Sequence, residues 1–412
     1  MKNITIIFTA IIIFASVPCA VLAIGETATT QSVLYLASAG NRNATLEIDA
    51  AFFNPAGLAF MEENIINCMI GNQTIFQTKK IKDAASPDGK VYEGEVRSYV
   101  FPTAAAAARW DRFAFYFHSG PYGGSGTGNF KDGTPGSAGM GVKVQPAILG
   151  CTLGAAYRLM DTLAIATGAK YFYAVKTLEL SDSTGTFTTE ATGSGFGLTA
   201  GIDIKPDEKL NIGFQFMWNS RLEVKNETKK SSGFMPALAG ETYFPDGGKS
   251  RAQLPMLATL GISYAVLPDL KVEIDGLLYF EWMNDLGKIQ PDPLAASKDA
   301  AGDRISKHYG PGLEAGIGIE YLLIPGRLTL NTGYMYGRNG QKQEVIDEFS
   351  YYQDYNQFGI GGTVQVSDKI AIMAGYMIAI MLPGKKSWDN KQEYKDEPAH
   401  LFGLGVKGKF SI

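Results

Sequence analysis

Apolar and polar residues alternate with period two along much of this chain. From Leu210 one face reads Leu210, Ile212, Phe214, Phe216 and Trp218, and the other Asn211, Gly213, Gln215, Met217 and Asn219. Further on, Leu270, Val272, Ile274, Leu278, Phe280 and Trp282 alternate with Lys271, Glu273, Asp275, Tyr279 and Glu281. The same split recurs at Leu313, Ala315, Ile317, Ile319 and Tyr321, and at Leu328, Leu330, Tyr334 and Tyr336. Side chains on a strand point to opposite faces in turn, so each run predicts a strand with one greasy face and one face of Gly, Thr, Asn or charge. Strands of soluble sandwiches run about 5–6 residues. These run about 10–14, enough to cross a bilayer at a tilt, with the apolar face toward lipid. Trp218, Trp282, Tyr264 and Tyr321 stand near strand ends, where an aromatic ring with a polar tip suits the lipid–water boundary.

The connections alternate too. Short turns are expected at Trp110-Asp111, Met160-Asp161, Lys205–Glu208, Pro268-Asp269, Pro325-Gly326 and Ser367-Asp368. Longer polar or Gly-rich segments fall around Ile81–Val96, Ser119–Lys143, Thr177–Gly193, Arg221–Ser250, Asn284–Lys307, Asn339–Asp354 and Pro383–Pro398. Short connections on one side and long ones on the other predict an all-β, up-and-down antiparallel transmembrane barrel of about 14 strands. At the end of the chain Phe402, Leu404, Val406, Phe410 and Ile412 alternate with Gly403, Gly405, Lys407, Lys409 and Ser411, a closing amphipathic strand. An aromatic near the terminus resembles the signal read by the barrel assembly machinery, although Ser411-Ile412 follow Phe410 here.

Before the barrel, Lys2 precedes an apolar run from Ile4 to Val17, then Pro18 and the small-residue pattern Val21-Leu22-Ala23. Residues 1–23 read as a secretory signal peptide. Cys19 sits in a poor context for lipidation, and Cys68 and Cys151 fall on separate strands, where packing is the expected role. Residues 24–64 lack a strand pattern and contain Asp49-Ala50-Ala51-Phe52-Phe53-Asn54-Pro55-Ala56-Gly57-Leu58. Pro55 fixes a dihedral, Gly57 permits a turn and Ala56 allows close approach to a wall, which suits a hatch or plug in the lumen or, equally, a periplasmic extension. Residues 65–412 then form the barrel with its long extracellular loops.

Signal, Asn-Pro-Ala segment and amphipathic strands together resemble the long-chain fatty acid transporter (FadL) family, which includes aromatic-hydrocarbon porins of the TodX type. The triplet Asn54-Pro55-Ala56 carries most of the likeness. Phe101-Pro102, Phe113 to Phe117 followed by Gly120-Pro121-Tyr122-Gly123-Gly124, and Leu254-Pro255 support it. The resemblance implies an N-terminal hatch, capture of hydrophobic ligand among extracellular loops, and a bent third strand that opens the wall so that ligand leaves sideways into the membrane. Asn54, Pro55 and Ala56 would be hatch positions, and Gly120, Pro121, Gly123 and Gly124 the bend. Pro121 cannot donate to a ladder and the glycines carry nothing to seal it. The same residues could instead simply begin the loop after the third strand.

Transport of hydrophobic compounds, long-chain fatty acids or aromatic hydrocarbons, has a physical rationale, since each CH₂ kept from water is worth about 0.8 kcal/mol. Candidate ligand contacts are Phe52, Phe53, Leu58 and Phe60 in the hatch and Phe234, Met235, Leu238 and Phe244 in a loop. For a carboxylate ligand, Lys229, Lys230, Lys249 and Arg251 are available cations. Lumen-facing Glu273, Asp275, Glu281, Glu314 and Glu320 could cluster on adjacent strands and, unless lumen cations or water screen them, repel one another.

Composition narrows the alternatives. With 37 Lys+Arg against 41 Asp+Glu and a net charge of −4, the chain has no cationic surplus for nucleic acid. Three His and three Cys leave little for a metal or disulfide framework, and no cofactor or metal is expected. Gly403-Leu404-Gly405-Val406-Lys407-Gly408 spells a dinucleotide fingerprint, but within a strand and without a following helix. His118-Ser119 and Ser306 with His308 are the only Ser/His neighbours and lack an orienting third group, so an enzyme is not expected. The expected partners are outer-membrane lipids, the hydrophobic ligand and the assembly machinery, with the protein a monomer in the outer membrane. A general diffusion porin and a surface adhesin or scaffold are the competing functions.

Overall fold

The computed structural model describes residues 30–124, 126–137, 139–218, 220–233, 236–237, 246–283, 305–343, 346, 351–383, 385–387 and 391–411. The expected signal peptide, residues 1–23, lies outside the described residues, as do Phe234, Met235, Leu238 and Phe244.

Nineteen strand segments make a single sheet. They are β1 Ile65–Asp83, β2 Val91–Trp110, β3 Phe113–Gly123, β4 Thr127–Phe130, β5 Gly141–Met160, β6 Leu163–Ser181 and β7 Thr186–Ile204. Then come β8 Leu210–Met217, β9 Ser220–Ser231, β10 Lys249–Leu254, β11 Leu257–Leu267, β12 Leu270–Tyr279 and β13 Gly312–Ile324. The chain ends with β14 Leu328–Arg338, β15 Tyr355–Ser367, β16 Ile370–Met381, β17 Lys385–Lys386, β18 Gln392–Tyr394 and β19 Ala399–Ser411. β3 continues as β4, β8 as β9, and β10 as β11 across Pro255, so the wall is a closed antiparallel barrel of 14 staves. Closure is made by β1 against β19, from Ile65↔Ser411 to Phe76↔His400.

Alternation sets the two faces. Phe196, Leu404 and Ile360 point outward at 74%, 64% and 62% exposure, while Asn211, Gln215, Glu273 and Asp275 are buried on the inside. An apolar exterior and a polar interior invert the soluble arrangement, as a lipid-facing wall requires. Trp218, Trp282, Tyr264 and Tyr321 are all outward-facing, in keeping with their expected boundary positions.

Two expected loops are shorter than their polar composition suggests. Thr177–Gly193 is mostly strand, with only residues 182–185 connecting β6 to β7. Likewise β1 and β2 extend through much of Ile81–Val96. The reason is inward packing: Leu178, Leu180 and Phe187 alternate along these extensions and join Ile81, Phe130, Val142 and Tyr394 in a buried cluster. The staves there reach 19–20 residues, beyond the length a bilayer needs.

The described part of the N-terminal segment is compact, with helices Val33–Ala37 and Ala50–Phe53 and a 3-10 turn Pro55–Phe60. Ser32 caps the first helix by accepting from Tyr35 N at 3.0 Å. Pro55 sits at the start of the 3-10 turn, where its missing N–H costs nothing. The first helix packs against β14–β16 and β19, and the turn against β5–β7 on the facing wall, so the segment lies across the bore. Alanines make room for it: Ala50, Ala51, Ala56 and Ala59 meet Ala105, Ala107, Ala114, Ala156, Ala164 and Ala166 in one interior cluster.

Candidate functional site: the bore, the wall break and the cavity

The segment is tied to itself and to the wall by charged and polar side chains. Arg42, 2% exposed, donates from Nε to Asp49 Oδ2 at 2.9 Å and from Nη2 to Asp49 Oδ1 at 2.8 Å, a bidentate pair, and its Nη2 also reaches Thr45 Oγ1 at 2.7 Å. Wall carboxylates receive the segment's backbone: Asn43 N donates to Asp275 Oδ2 at 2.8 Å and Ala44 N to Glu273 Oε1 at 2.7 Å. Lys407 Nζ donates to Glu47 Oε2 at 2.7 Å, and Gln357 Nε2 to Ala39 O at 2.9 Å. Burial alone would raise the Glu47 carboxyl, but Lys407 and Arg42 beside it hold its pKa down to about 2.

Glycines on the inner wall let backbone touch backbone. A Cβ on Gly375 would stand 2.6 Å from Val33 O and one on Gly403 2.9 Å from Leu36 Cδ1. The glycines of the fingerprint-like run near the C-terminus are thus part of a crowded wall, Gly403 most directly.

Asn54, Pro55 and Ala56 sit at the centre of this contact. Asn54 is fully buried and donates from Nδ2 to Thr45 O at 3.1 Å and to Asp203 Oδ2, which also accepts from Asn211 Nδ2 at 3.0 Å. Of the lumen acids, Glu273, Asp275 and Glu320 gather at the level of Arg42 and Lys271, the cations that screen them, whereas Glu314 sits apart against Tyr279 and Tyr355. Register separates them, and the N-terminal segment supplies donors that no strand pattern reveals.

The wall is broken between the second and third staves. β2 pairs with β3 only from Ala104↔Ser119 to Trp110↔Phe113, and with β4 only from Glu95↔Asn129 to Arg97↔Thr127. Residues 98–103 of β2 have neither partner. β3 meanwhile stays with β5 past the break, to Pro121↔Leu149 and Gly123↔Ile148. Gly120, Pro121, Gly123 and Gly124 all fall here, and left-handed Gly124 and Gly126 (φ 96° and 125°) take the turn out of the ladder. The β2 edge bulges as well. Its register against β1 shifts between Gln73 and Ile75, and Asn72 satisfies the freed backbone by accepting from Phe101 N at 2.9 Å and donating to Tyr99 O at 3.1 Å.

Tyr122, carried inward by the bend, is a residue that sequence reasoning did not assign. Its hydroxyl shares a hydrogen bond with Thr152 Oγ1 at 2.8 Å, and its ring packs on Phe52 at 5.5 Å and edge-on to Phe172 at 5.0 Å. Gly150 opposite has no side chain to obstruct it: a Cβ there would lie 2.9 Å from Phe172 Cδ1 and closer still to the Tyr122 ring. The Lys170 ammonium stands over the Phe52 and Tyr122 rings at 5.5 and 5.2 Å. Gln31 Nε2 donates to Pro121 O, tying the N-terminal segment to the bend.

Above the segment lies a cavity of about 220 Å³. Tyr279, Glu314, Tyr355, Met377 and Leu401 line it, as do Phe101 and Gly124 on the two edges of the wall break. Of the expected ligand contacts, Phe52 is buried with its ring tilted against Tyr122, Phe53 is buried and stacked with Tyr35, and Leu58 and Phe60 pack in the alanine-lined cluster. None of the four lines the cavity. Of the loop cations, Lys229 pairs with Glu227 at 2.9 Å and Lys249 with Glu223 at 3.1 Å.

No curated protein sequence matches the chain. Its fold is similar to that of a Pseudomonas aeruginosa FadL homologue (TM-score 0.69, 13% identity, 94% of this chain and 99% of that one). It is also similar to the Ralstonia pickettii toluene transporter TbuX (TM-score 0.64, 16% identity, 92% and 98%) and the P. putida toluene transporter TodX (TM-score 0.64, 14% identity, 92% and 98%). The family model for outer membrane protein transport proteins (OMPP1/FadL/TodX) matches residues 14–381. With the closed lipid-facing barrel already in hand, that match over most of the chain makes this protein an outer-membrane member of the OMPP1/FadL/TodX family.

Proposed function

We propose that the protein takes up hydrophobic compounds: ligand is captured in the cavity under the extracellular loops, residues 31–61 act as a hatch, and the ligand leaves sideways through the break between β2 and β3. One observation carries this reading. One cavity is lined by Glu314 and Tyr355 and also by Phe101 and Gly124, on either edge of the wall break. Residues 98–103 of β2 lack a β3 or β4 partner, and Tyr99 and Val100 at this edge point outward at 66% and 57% exposure. An apolar solute passing here keeps its surface from water throughout, which is where its transfer free energy lies. The bore is filled by buried side chains from the N-terminal segment, which favours this route over an open aqueous pore. We take the working unit to be a monomer, since cavity, hatch and wall break all belong to one chain.

The test is uptake of radiolabelled toluene and oleate by cells with and without the protein, alongside single-channel conductance of the purified barrel. Protein-dependent uptake and low conductance are expected. Equal uptake without the protein would end the transport reading, and conductance of general-porin size would end the hatch reading.

A further inference from the structure

A second cavity, also of about 220 Å³, lies at the other end of the bore. It is on the side of the two-residue turn between β15 and β16, the short-turn side that in such barrels faces the periplasm. The N-terminal segment lines it with Glu47 and Glu62, and the barrel with Asn67, Lys369, Lys407 and Lys409. Lys407 and Lys409 are alternate residues of β19 and share one face, and Lys409 N donates to Lys369 O at 2.9 Å, which brings the third lysine alongside. Lys407 is engaged with Glu47 at 2.7 Å and keeps further N–H donors. Lys369 and Lys409 are exposed and have no carboxylate partner among the described residues. Asn67 is only 8% exposed, yet its side chain makes no hydrogen bond among the described residues, and its amide atoms retain accessible surface. The two carboxylates are placed differently: Glu47 is answered by Lys407 and stands 3.9 Å from Arg42, and Glu62 is exposed to solvent. Three ammonium groups against two carboxylates, one of them already paired, leave the cavity positive.

We propose that this cavity binds a phosphate group, carried by a phospholipid of the inner leaflet or free in the periplasm, with Lys369, Lys409 and the Asn67 amide as donors and Lys407 shared between it and Glu47. Lysine binds phosphate as a point charge with three rotatable donors, which suits a tetrahedral anion approached from several sides. Asn67 Nδ2 adds a hydrogen bond that only a group inside the cavity can accept, so the site offers more than surface attraction. Leu46, Ile48 and Met61 line the same space and give the first carbons of an ester an apolar neighbour.

The experiment is calorimetric titration of the purified full-length protein in detergent, in an amine buffer at fixed ionic strength, with inorganic phosphate and with dihexanoyl phosphatidic acid, subtracting matched titrations into detergent alone. Saturable binding is expected. Tighter binding of the lipid phosphate places the source in the leaflet, and binding of inorganic phosphate at least as tight places it in solution. Lys369→Gln/Lys409→Gln leaves Lys407 on Glu47 and should weaken binding roughly tenfold or more, and Asn67→Ala should weaken it about fivefold. Folding of each variant is checked by gel mobility before and after boiling. Absence of saturable binding by both probes overturns the proposal, and so does an unchanged affinity in the folded double variant. An unchanged affinity in folded Asn67→Ala overturns it too, because the effect would then be attraction by exposed lysines alone. The uptake reading survives each of these outcomes, since none of the three residues lines the upper cavity or the wall break.

Discussion

The lower bore and the upper bore are built on opposite principles. Around Arg42 the charges are answered: a bidentate carboxylate, wall acids that receive backbone N–H groups, and an ammonium on Glu47. Above, the ladder is interrupted over residues 98–103 of β2, and aromatic rings pack around Tyr122, whose hydroxyl meets Thr152. The contrast teaches that one lumen can join a half tied across the bore by charged groups to a half lined by aromatic rings beside an interrupted ladder.

The sharpest way to break the comparison is to forbid the lower half to move. A Cβ on Gly71 would lie 2.9 Å from Val33 Cγ2, close enough for a cysteine pair to bridge the segment to β1. With Cys68 and Cys151 replaced by Ala, the double variant Val33→Cys/Gly71→Cys should lose uptake when oxidised and regain it on reduction; full uptake in the oxidised form would show that no hatch movement is needed. Next in size, Arg42→Met strands the buried Asp49 carboxylate, at a cost of about 3–5 kcal/mol. Amide exchange over residues 31–61 should accelerate by two orders of magnitude or more, with the barrel strands protected as before.

In the upper half the same operation should matter less. Tyr122→Phe removes the hydroxyl contacts to Thr152 and His118 and leaves the ring packing in place, a loss of about 1 kcal/mol in a urea titration with uptake retained. A much larger loss would mean that the bend is held by the hydrogen bond after all. The smallest effect is with pH. The Glu47 carboxyl is held at about 2 in the folded protein against an ordinary 4.5, so its contribution is fully present above pH 4.5 and drains away as pH falls toward 2. Exchange of the segment's amides should be flat from pH 7 to 5 after correction for intrinsic rates, and rise only below that; loosening near neutral pH would contradict the Lys407 link.

The sequence by itself determined the wall. Alternation of the kind seen from Leu210 to Trp218 is local, and a two-residue period assigns lipid and lumen faces without knowledge of neighbours. It also marked Asn54-Pro55-Ala56 and the run Gly120–Gly124 as departures from the strand pattern, and both fall at the positions that interrupt or fill the barrel. Tertiary structure alone decided which residues meet across the bore. Arg42 finding Asp49, Asn43 and Ala44 finding Asp275 and Glu273, Tyr122 turning onto Phe52, and Glu314 collecting Tyr279 and Tyr355 all depend on strand register and on the path of a segment that follows no period. A one-residue slip would send each wall residue to the other face, so partners far apart in sequence are fixed only when the whole cylinder closes.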